Sequence, residues 1–324
     1  MLRLLTLLVL LLISAVTASP FSPPSPIPLI IWHGLGDKYD SDGIKGVGEL
    51  ANKANPGTFV YNIRLSEDSE TDARATFFGN LTEQIQQVCD DLSSHPILST
   101  APSVNALGFS QGGQFLRGYI QRCNKPPVKN LITFGSQHNG IAKYQSCAPG
   151  DWICKAWVAL LRGNTWSSYA QSHLVPAQYY RSIDEETGEP SEEYLENSNF
   201  LADINNERKV KNKEYAEKLS SLDKFVMYMF EDDTTVIPKE SAWFAQTNIA
   251  SGEVIKLRDR VIYKEDWIGL KKLDEKGGLE FKTTPGGHMQ FEDKILLEVF
   301  ETYFSSKAAG WGGAKEWMQD IIEL

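Results

Sequence analysis

Short apolar runs recur along the chain, separated by segments in which apolar positions return every three or four residues. A continuous run of about 4–8 suits a strand buried on both faces, and the wider spacing suits a helix with one buried stripe. Leu29-Ile30-Ile31-Trp32, Phe59-Val60-Tyr61-Asn62-Ile63, Val104-Asn105-Ala106-Leu107 and the runs 128–134 and 224–230 are expected strands. Val261-Ile262-Tyr263 and Leu279-Glu280-Phe281 read as late strands. Helices are expected over 77–92, where Phe78, Leu81, Ile85, Val88 and Leu92 form the stripe, and over 114–120 and 295–304. Another helical stretch opens around Trp243-Phe244, after Pro238. Between 139 and 222 the rhythm breaks into helical patterns with no convincing strand, rich in aromatics (Trp152, Trp157, Trp166, Tyr169, Tyr179, Tyr180). The order predicts an α/β fold: a mostly parallel central sheet flanked by helices, with a largely helical insertion over one end.

One junction carries chemistry. Gly108-Phe109-Ser110-Gln111-Gly112 sits where a strand gives way to a helix, the setting of the nucleophile elbow of an α/β-hydrolase. A serine hydroxyl is a weak nucleophile and needs a base in reach, which in turn needs an orienting carboxylate. In this fold the chain order is Ser, acid, His. Only His138, His173 and His288 follow Ser110. His138 precedes any suitable acid and His173 has no strand to place it, whereas His288 sits on a glycine loop after the last strand. The acid comes from the loop after the 224–230 run, where spacing leaves Asp232 and Asp233 both open. His33-Gly34-Leu35-Gly36 follows the first strand, so the backbone N–H of Leu35, with that of Gln111, is the expected pair of oxyanion donors. Neither a metal nor a cofactor is required by this chemistry.

Charge and targeting narrow the setting. A net charge of -10 without a basic stripe argues against a nucleic-acid partner. Residues 1–18 read as a signal peptide: a basic start, a leucine-rich core and small residues before the expected cleavage site. A proline-rich leader (19–27), the catalytic domain (28–304) and a tail (305–324) follow, with no membrane-spanning segment expected once the signal is removed. The secretory route accommodates disulfides among Cys89, Cys123, Cys147 and Cys154. Three pairings are possible; Cys89–Cys123 and Cys147–Cys154 are preferred. Asn80-Leu81-Thr82 is a glycosylation sequon, expected at the surface.

Longer stretches extend the comparison. The segments 108–117, 31–37 and 200–208, with Gly287-His288 ahead of Gln290, resemble the lysosomal palmitoyl-protein thioesterase family, and the similarity runs from about 28 to 304. The resemblance implies S-depalmitoylation by a triad of Ser110, Asp233 and His288, favouring Asp233 over Asp232. It matches Leu35 and Gln111 to the oxyanion donors, with leucine where the family usually has methionine. It also matches the four cysteines to two of the family's bridges; an adjacent cysteine pair usual in the animal enzymes is replaced here by Lys38-Tyr39-Asp40-Ser41-Asp42. The implied partners are S-palmitoylated proteins and peptides and long-chain acyl thioesters. A monomer in the lysosome or vacuole is the expectation, with secretion as the alternative address. A lipase or carboxylesterase of the same fold, and a non-enzymatic lipid-binding protein, are the competing readings.

Overall fold

Alternate side chains of each central strand enter different cores, which is why the strands read as unbroken apolar runs. In the computed structural model, which describes residues 25–146, 149–150, 152–184, 186–248 and 251–305, β1 (Leu29–Trp32) sends Leu29 and Ile31 to one face and Ile30 and Trp32 to the other. The same alternation runs through β3 (Val104–Phe109), β4 (Val128–Phe134) and β5 (Lys224–Phe230). With β2 (Val60–Asn62) and a last strand, Leu279–Thr284, they form a six-stranded sheet in the order β2-β1-β3-β4-β5-last, every neighbouring pair parallel. α1 (Asp42–Ala54) and the closing helix Asp293–Tyr303 cover one face. α3 (Leu81–Ser94), α4 (Gln111–Arg122) and the helices of the 139–222 stretch cover the other.

The register brings the carboxyl ends of the strands to one edge. Trp32 pairs with Gly108, Phe109 with Phe134, Phe134 with Tyr228, and Phe230 with Thr284. The loops carrying His33, Ser110, Asp233 and His288 therefore leave the sheet side by side, where open α/β sheets place their ligands.

Three local expectations change. The helix expected over 77–92 begins at Leu81, because Asn80 is its N-cap and accepts from the N–H of Thr82. Phe78 lies outside it and is exposed. Val261–Lys264 is a helical turn rather than a strand, and its short apolar run could not distinguish the two. The stretch after Pro238 is a short 3₁₀ turn, Lys239–Trp243, ended by Phe244 in a left-handed conformation. α1 and α2 (Ser69–Ala75) are additional to the expected helices: α1 buries Ile44, Val47 and Ala51 at helical spacing among three glycines, and the only buried residue of α2 is Asp72. Cys89 and Cys123 form a disulfide joining α3 to the end of α4. The signal segment, the 305–324 tail beyond Ser305 and the Cys147–Cys154 pairing lie outside the described residues.

Candidate active site

The elbow is built by close backbone approach. A Cβ on Gly108 would stand 2.3 Å from Cα of Gly113, and one on Gly112 2.3 Å from the carbonyl oxygen of Trp32. Only hydrogen at these positions lets strand, turn and α4 share that space. The tight turn puts Ser110 at φ 51°, ψ -125°, a region non-glycine residues avoid at about 1–3 kcal/mol. Its N–H is fixed on the carbonyl of Phe134 at 2.8 Å. A serine before a helix ordinarily turns its hydroxyl onto the helix N–H groups. Here that cap bond is absent, and Oγ instead lies 3.0 Å from Nε2 of His288.

His288 is placed from the adjacent strands. Its Nδ1 is 2.7 Å from Oδ2 of Asp233. The other carboxylate oxygen, Oδ1, accepts from the backbone N–H groups of Thr235 (2.8 Å) and Val236 (3.0 Å). Asp233 is thus buried and locked. Asp232, left open by the spacing, points to solvent, and its N–H binds the carbonyl of Gly286 at 3.0 Å, tying the acid loop to the histidine loop. That second loop closes on itself through Gln290, whose side chain accepts from Gly287 N–H. His138 is fully buried against Phe244, and burial together with the nearby Arg117 pushes it well below the usual histidine range, so it stays neutral. His173 lies on the surface, stacked on Tyr169.

The loop after β1 packs against the serine; a Cβ on Gly34 would come within 3.1 Å of that of Ser110. Among the described residues neither the N–H of Leu35 nor that of Gln111 has an acceptor. Unpaired backbone donors beside a nucleophile are what a developing oxyanion needs.

Above Ser110 opens a cleft of about 1350 Å³, larger than the ~300–1,000 Å³ of a drug-sized pocket. Its lining includes Ile141, Leu161 and Tyr179 of the insertion with Phe77, Phe78 and Val236. It also includes Ile44, Val47 and Leu50 of α1, Leu296 of the closing helix and Phe291 just before that helix. Of the aromatics noted in the insertion, Tyr179 faces the cleft. Trp166 and Tyr180 pack against each other, Tyr169 is 63% exposed, and the side chains of Trp152 and Trp157 lie outside the described residues.

Residues 28–288 match the family model described as palmitoyl protein thioesterase. The chain belongs to the palmitoyl-protein thioesterase family. This makes it a thioester hydrolase on an α/β-hydrolase fold. It is 39% identical over 283 residues to a palmitoyl-protein thioesterase-dolichyl pyrophosphate phosphatase fusion of Schizosaccharomyces pombe, matching over 85% of this chain and spanning only 44% of that protein. It is 34% identical to palmitoyl-protein thioesterase 1 of Caenorhabditis elegans, covering 86% of this chain and 92% of the relative. Among solved structures it resembles the RedJ thioesterase of Streptomyces coelicolor, with a TM-score of 0.43 and 14% identity, covering 89% of this chain and 95% of that one.

Several side-chain contacts at this family member's site carried no sequence signal. Gln111 anchors the elbow with its side chain as well: Nε2 donates to the carbonyl of Thr76 and Oε1 accepts from the hydroxyl of Tyr179, both at 3.2 Å. Arg117, wholly buried in α4, donates to the carbonyls of Ile204 and His138 and to Oδ1 of Asn205. The 200–208 stretch singled out in the sequence is therefore a clamp on the elbow helix. Deeper in it Glu207 pairs with Arg181 at 2.8 Å. Each depended on contacts between residues 21 to 88 positions apart, which no local pattern records.

Proposed function

We propose that this chain hydrolyses long-chain acyl thioesters on the cysteines of S-palmitoylated proteins and peptides, with Ser110 as nucleophile, His288 as base and Asp233 as its orienting acid. The observation that carries the reading is the continuous hydrogen-bonded line from Ser110 Oγ through His288 to Asp233 at the floor of an apolar cleft. His288 Nε2 takes the hydroxyl proton as Oγ attacks the thioester carbonyl carbon. The oxyanion sits between the N–H groups of Leu35 and Gln111. Collapse breaks the carbon–sulfur bond, and the proton passes from His288 to the departing thiolate. Water then gives a proton to His288 and attacks the acyl-serine, releasing the fatty acid and restoring Ser110.

The cleft supplies the chain selectivity. At about 0.8 kcal/mol per buried CH₂, a sixteen-carbon chain offers roughly 10 kcal/mol gross, before the cost of ordering it. Asn80, whose Oδ1 caps α3 and whose Nδ2 lies on the exposed side, is the proposed glycan acceptor, and the lysosome or vacuole the proposed destination. Among the described residues no helix is long and apolar enough to cross a membrane.

The test is labelling with a fluorophosphonate probe in competition with palmitoyl-CoA, followed by mapping of the tagged peptide. Label on the peptide holding Ser110, suppressed by the acyl thioester and absent from Ser110→Ala, is the expected result. Palmitoyl-cysteine peptide hydrolysis that persists in Ser110→Ala overturns the assignment. Faster cleavage of an oxygen ester than of the matching thioester would place the chain with carboxylesterases.

A further inference from the structure

An oxyanion donor helps only if its N–H is already aimed when charge develops, so the loop bearing Leu35 must be held. Three of its anchors come from one short segment, Asp72 to Thr76; Tyr39 at the loop's end is also held by Asn62, whose Nδ2 donates to its carbonyl at 3.0 Å. The Oδ2 of Asp72 accepts from His33 Nε2 at the start of the loop and from the Tyr39 N–H at its end, both at 3.0 Å. Its Oδ1 accepts from the N–H of Leu65 at 2.7 Å. The middle of the loop is tied by Gly36, one residue beyond the donor, whose N–H binds Oγ1 of Thr76 at 2.9 Å. Thr76 in turn spends its own proton on the carbonyl of Ala73 at 2.6 Å, so its oxygen faces Gly36 as an acceptor. Its carbonyl receives Nε2 of Gln111, the residue bearing the second donor.

α2 does little else. It adds no apolar side chain to either core, and Asp72 is its only buried residue, at 0% exposure. A carboxylate taken wholly out of water is costly unless its donors are satisfied. Burial pushes Asp72 up, but the bonds from His33, Leu65 and Tyr39 outweigh it and hold the group below the usual carboxylate range.

We infer that Asp72 and Thr76 are positioning residues for the oxyanion pocket: together they fix the loop 33–39 at both ends and its centre, and through Gln111 they register one donor against the other. The inference rests on the serine-hydrolase reading above, with Leu35 and Gln111 as donors. Outright loss of one oxyanion donor costs on the order of 10²–10³ in kcat, so a donor that is present but loosened should cost roughly 10- to 100-fold.

The experiment compares Thr76→Val, Thr76→Ser and Asp72→Asn with the parent chain in three measurements. These are kcat and KM on a palmitoyl thioester, inhibition by a palmityl trifluoromethyl ketone, and affinity for palmitate. The ketone forms an alkoxide adduct on the serine and reports the oxyanion pocket; palmitate reports the acyl groove. Thr76→Val should lose kcat by that factor and ketone affinity in proportion, with palmitate affinity and KM unchanged. Thr76→Ser, which keeps the hydroxyl, should stay within about threefold. Asp72→Asn should fall on the same line of kcat against ketone affinity; if it does not fold, the threonine pair decides. Equal losses in Thr76→Val and Thr76→Ser, a loss confined to KM, or unchanged ketone affinity overturns the inference. Failure of the underlying reading looks different: the parent chain would not bind the ketone, or Ser110→Ala would still turn over.

Discussion

Replacing Asp233 with asparagine tests the charge logic of the site at constant shape. The change swaps one acceptor oxygen for an NH₂ group. Which side the NH₂ takes is settled by the backbone. Oδ1 already receives Thr235 and Val236 N–H, at 2.8 and 3.0 Å, and an NH₂ there would face two donors. The amide oxygen therefore stays on the backbone side, and the NH₂ occupies the Oδ2 position, 2.7 Å from Nδ1 of His288. Nδ1 must then accept, which moves the ring proton to Nε2, facing Ser110 Oγ at 3.0 Å. In that tautomer the imidazole cannot take the serine proton. The same substitution in a Ser-His-Asp protease lowers kcat about 10⁴-fold, which is about 5 kcal/mol at 1.36 kcal/mol per decade. A loss of that size is expected here in steady-state hydrolysis of a palmitoyl-cysteine peptide, with KM nearly unchanged because Asp233 is not part of the acyl groove. Stability should move by less than about 0.5 kcal/mol, since both backbone donors keep their acceptor; Asp233→Ala, which strands the buried Val236 N–H, should cost about 1–3 kcal/mol in urea titrations. A kcat within tenfold of the parent, or a loss carried by KM, refutes the tautomer argument.

Other outcomes follow from features away from the triad. Gly108→Ala drives a methyl into the backbone of Gly113 and should destabilise by about 3 kcal/mol or more, read as a lowered thermal midpoint; a stable, active variant would contradict the close approach. The Cys89–Cys123 bond closes a loop of 34 residues, worth about 3–4 kcal/mol of unfolded-state entropy, so the double serine variant should unfold at correspondingly lower urea. Glu207→Gln leaves Arg181 and Arg260 buried without their counter-charge and should cost about 3–5 kcal/mol, more than any exposed ion pair in the chain. Asp72 and Glu207 are both held below their ordinary values. Burial alone would raise each; hydrogen bonds to His33 and the backbone in the first case, and the charges of Arg181 and Arg260 in the second, win. Their contribution is therefore complete above the unfolded values near 4 and is lost as pH falls through the lower folded ones. Urea midpoints attributable to these groups should hold steady from pH 7 to about 5 and drop only below about 4; a decline beginning near pH 6 that is absent from Glu207→Gln would reverse the sign.

The proposed triad was more legible in the sequence than the scaffolding around it. β1, β3, β4 and β5 announced themselves because burial on both faces leaves no polar alternation to confuse the reading. Ser110 stood out because its glycines cannot be replaced, and His288 because a loop after the last strand is where the fold places a base. Asp233 could not be separated from Asp232 by spacing, since what separates them is the direction each side chain leaves the loop. α2 escaped notice for a physical reason: a helix organised around one buried carboxylate shows no apolar stripe. The run 261–263 misled in the opposite way, with apolar residues too few to define a period. Gln111 was expected for its N–H, while the work of its side chain depends on Thr76 and Tyr179, brought close only by the fold.

Arg117 has a kinetic consequence. Its guanidinium joins the elbow helix to His138, where the insertion departs, and to Ile204 and Asn205 well inside it, and all of these contacts are out of water. Swinging the two ends of the insertion aside would have to break them together or drag the elbow helix along, so these anchor points and Ser110 move as one body. A molecule anchored in this way does not use those described parts of the insertion as a shutter for an oil–water surface to open. Its rate on a dispersed acyl thioester should rise smoothly through the concentration at which the substrate forms micelles, without the jump shown by hydrolases that uncover their serine only at an interface.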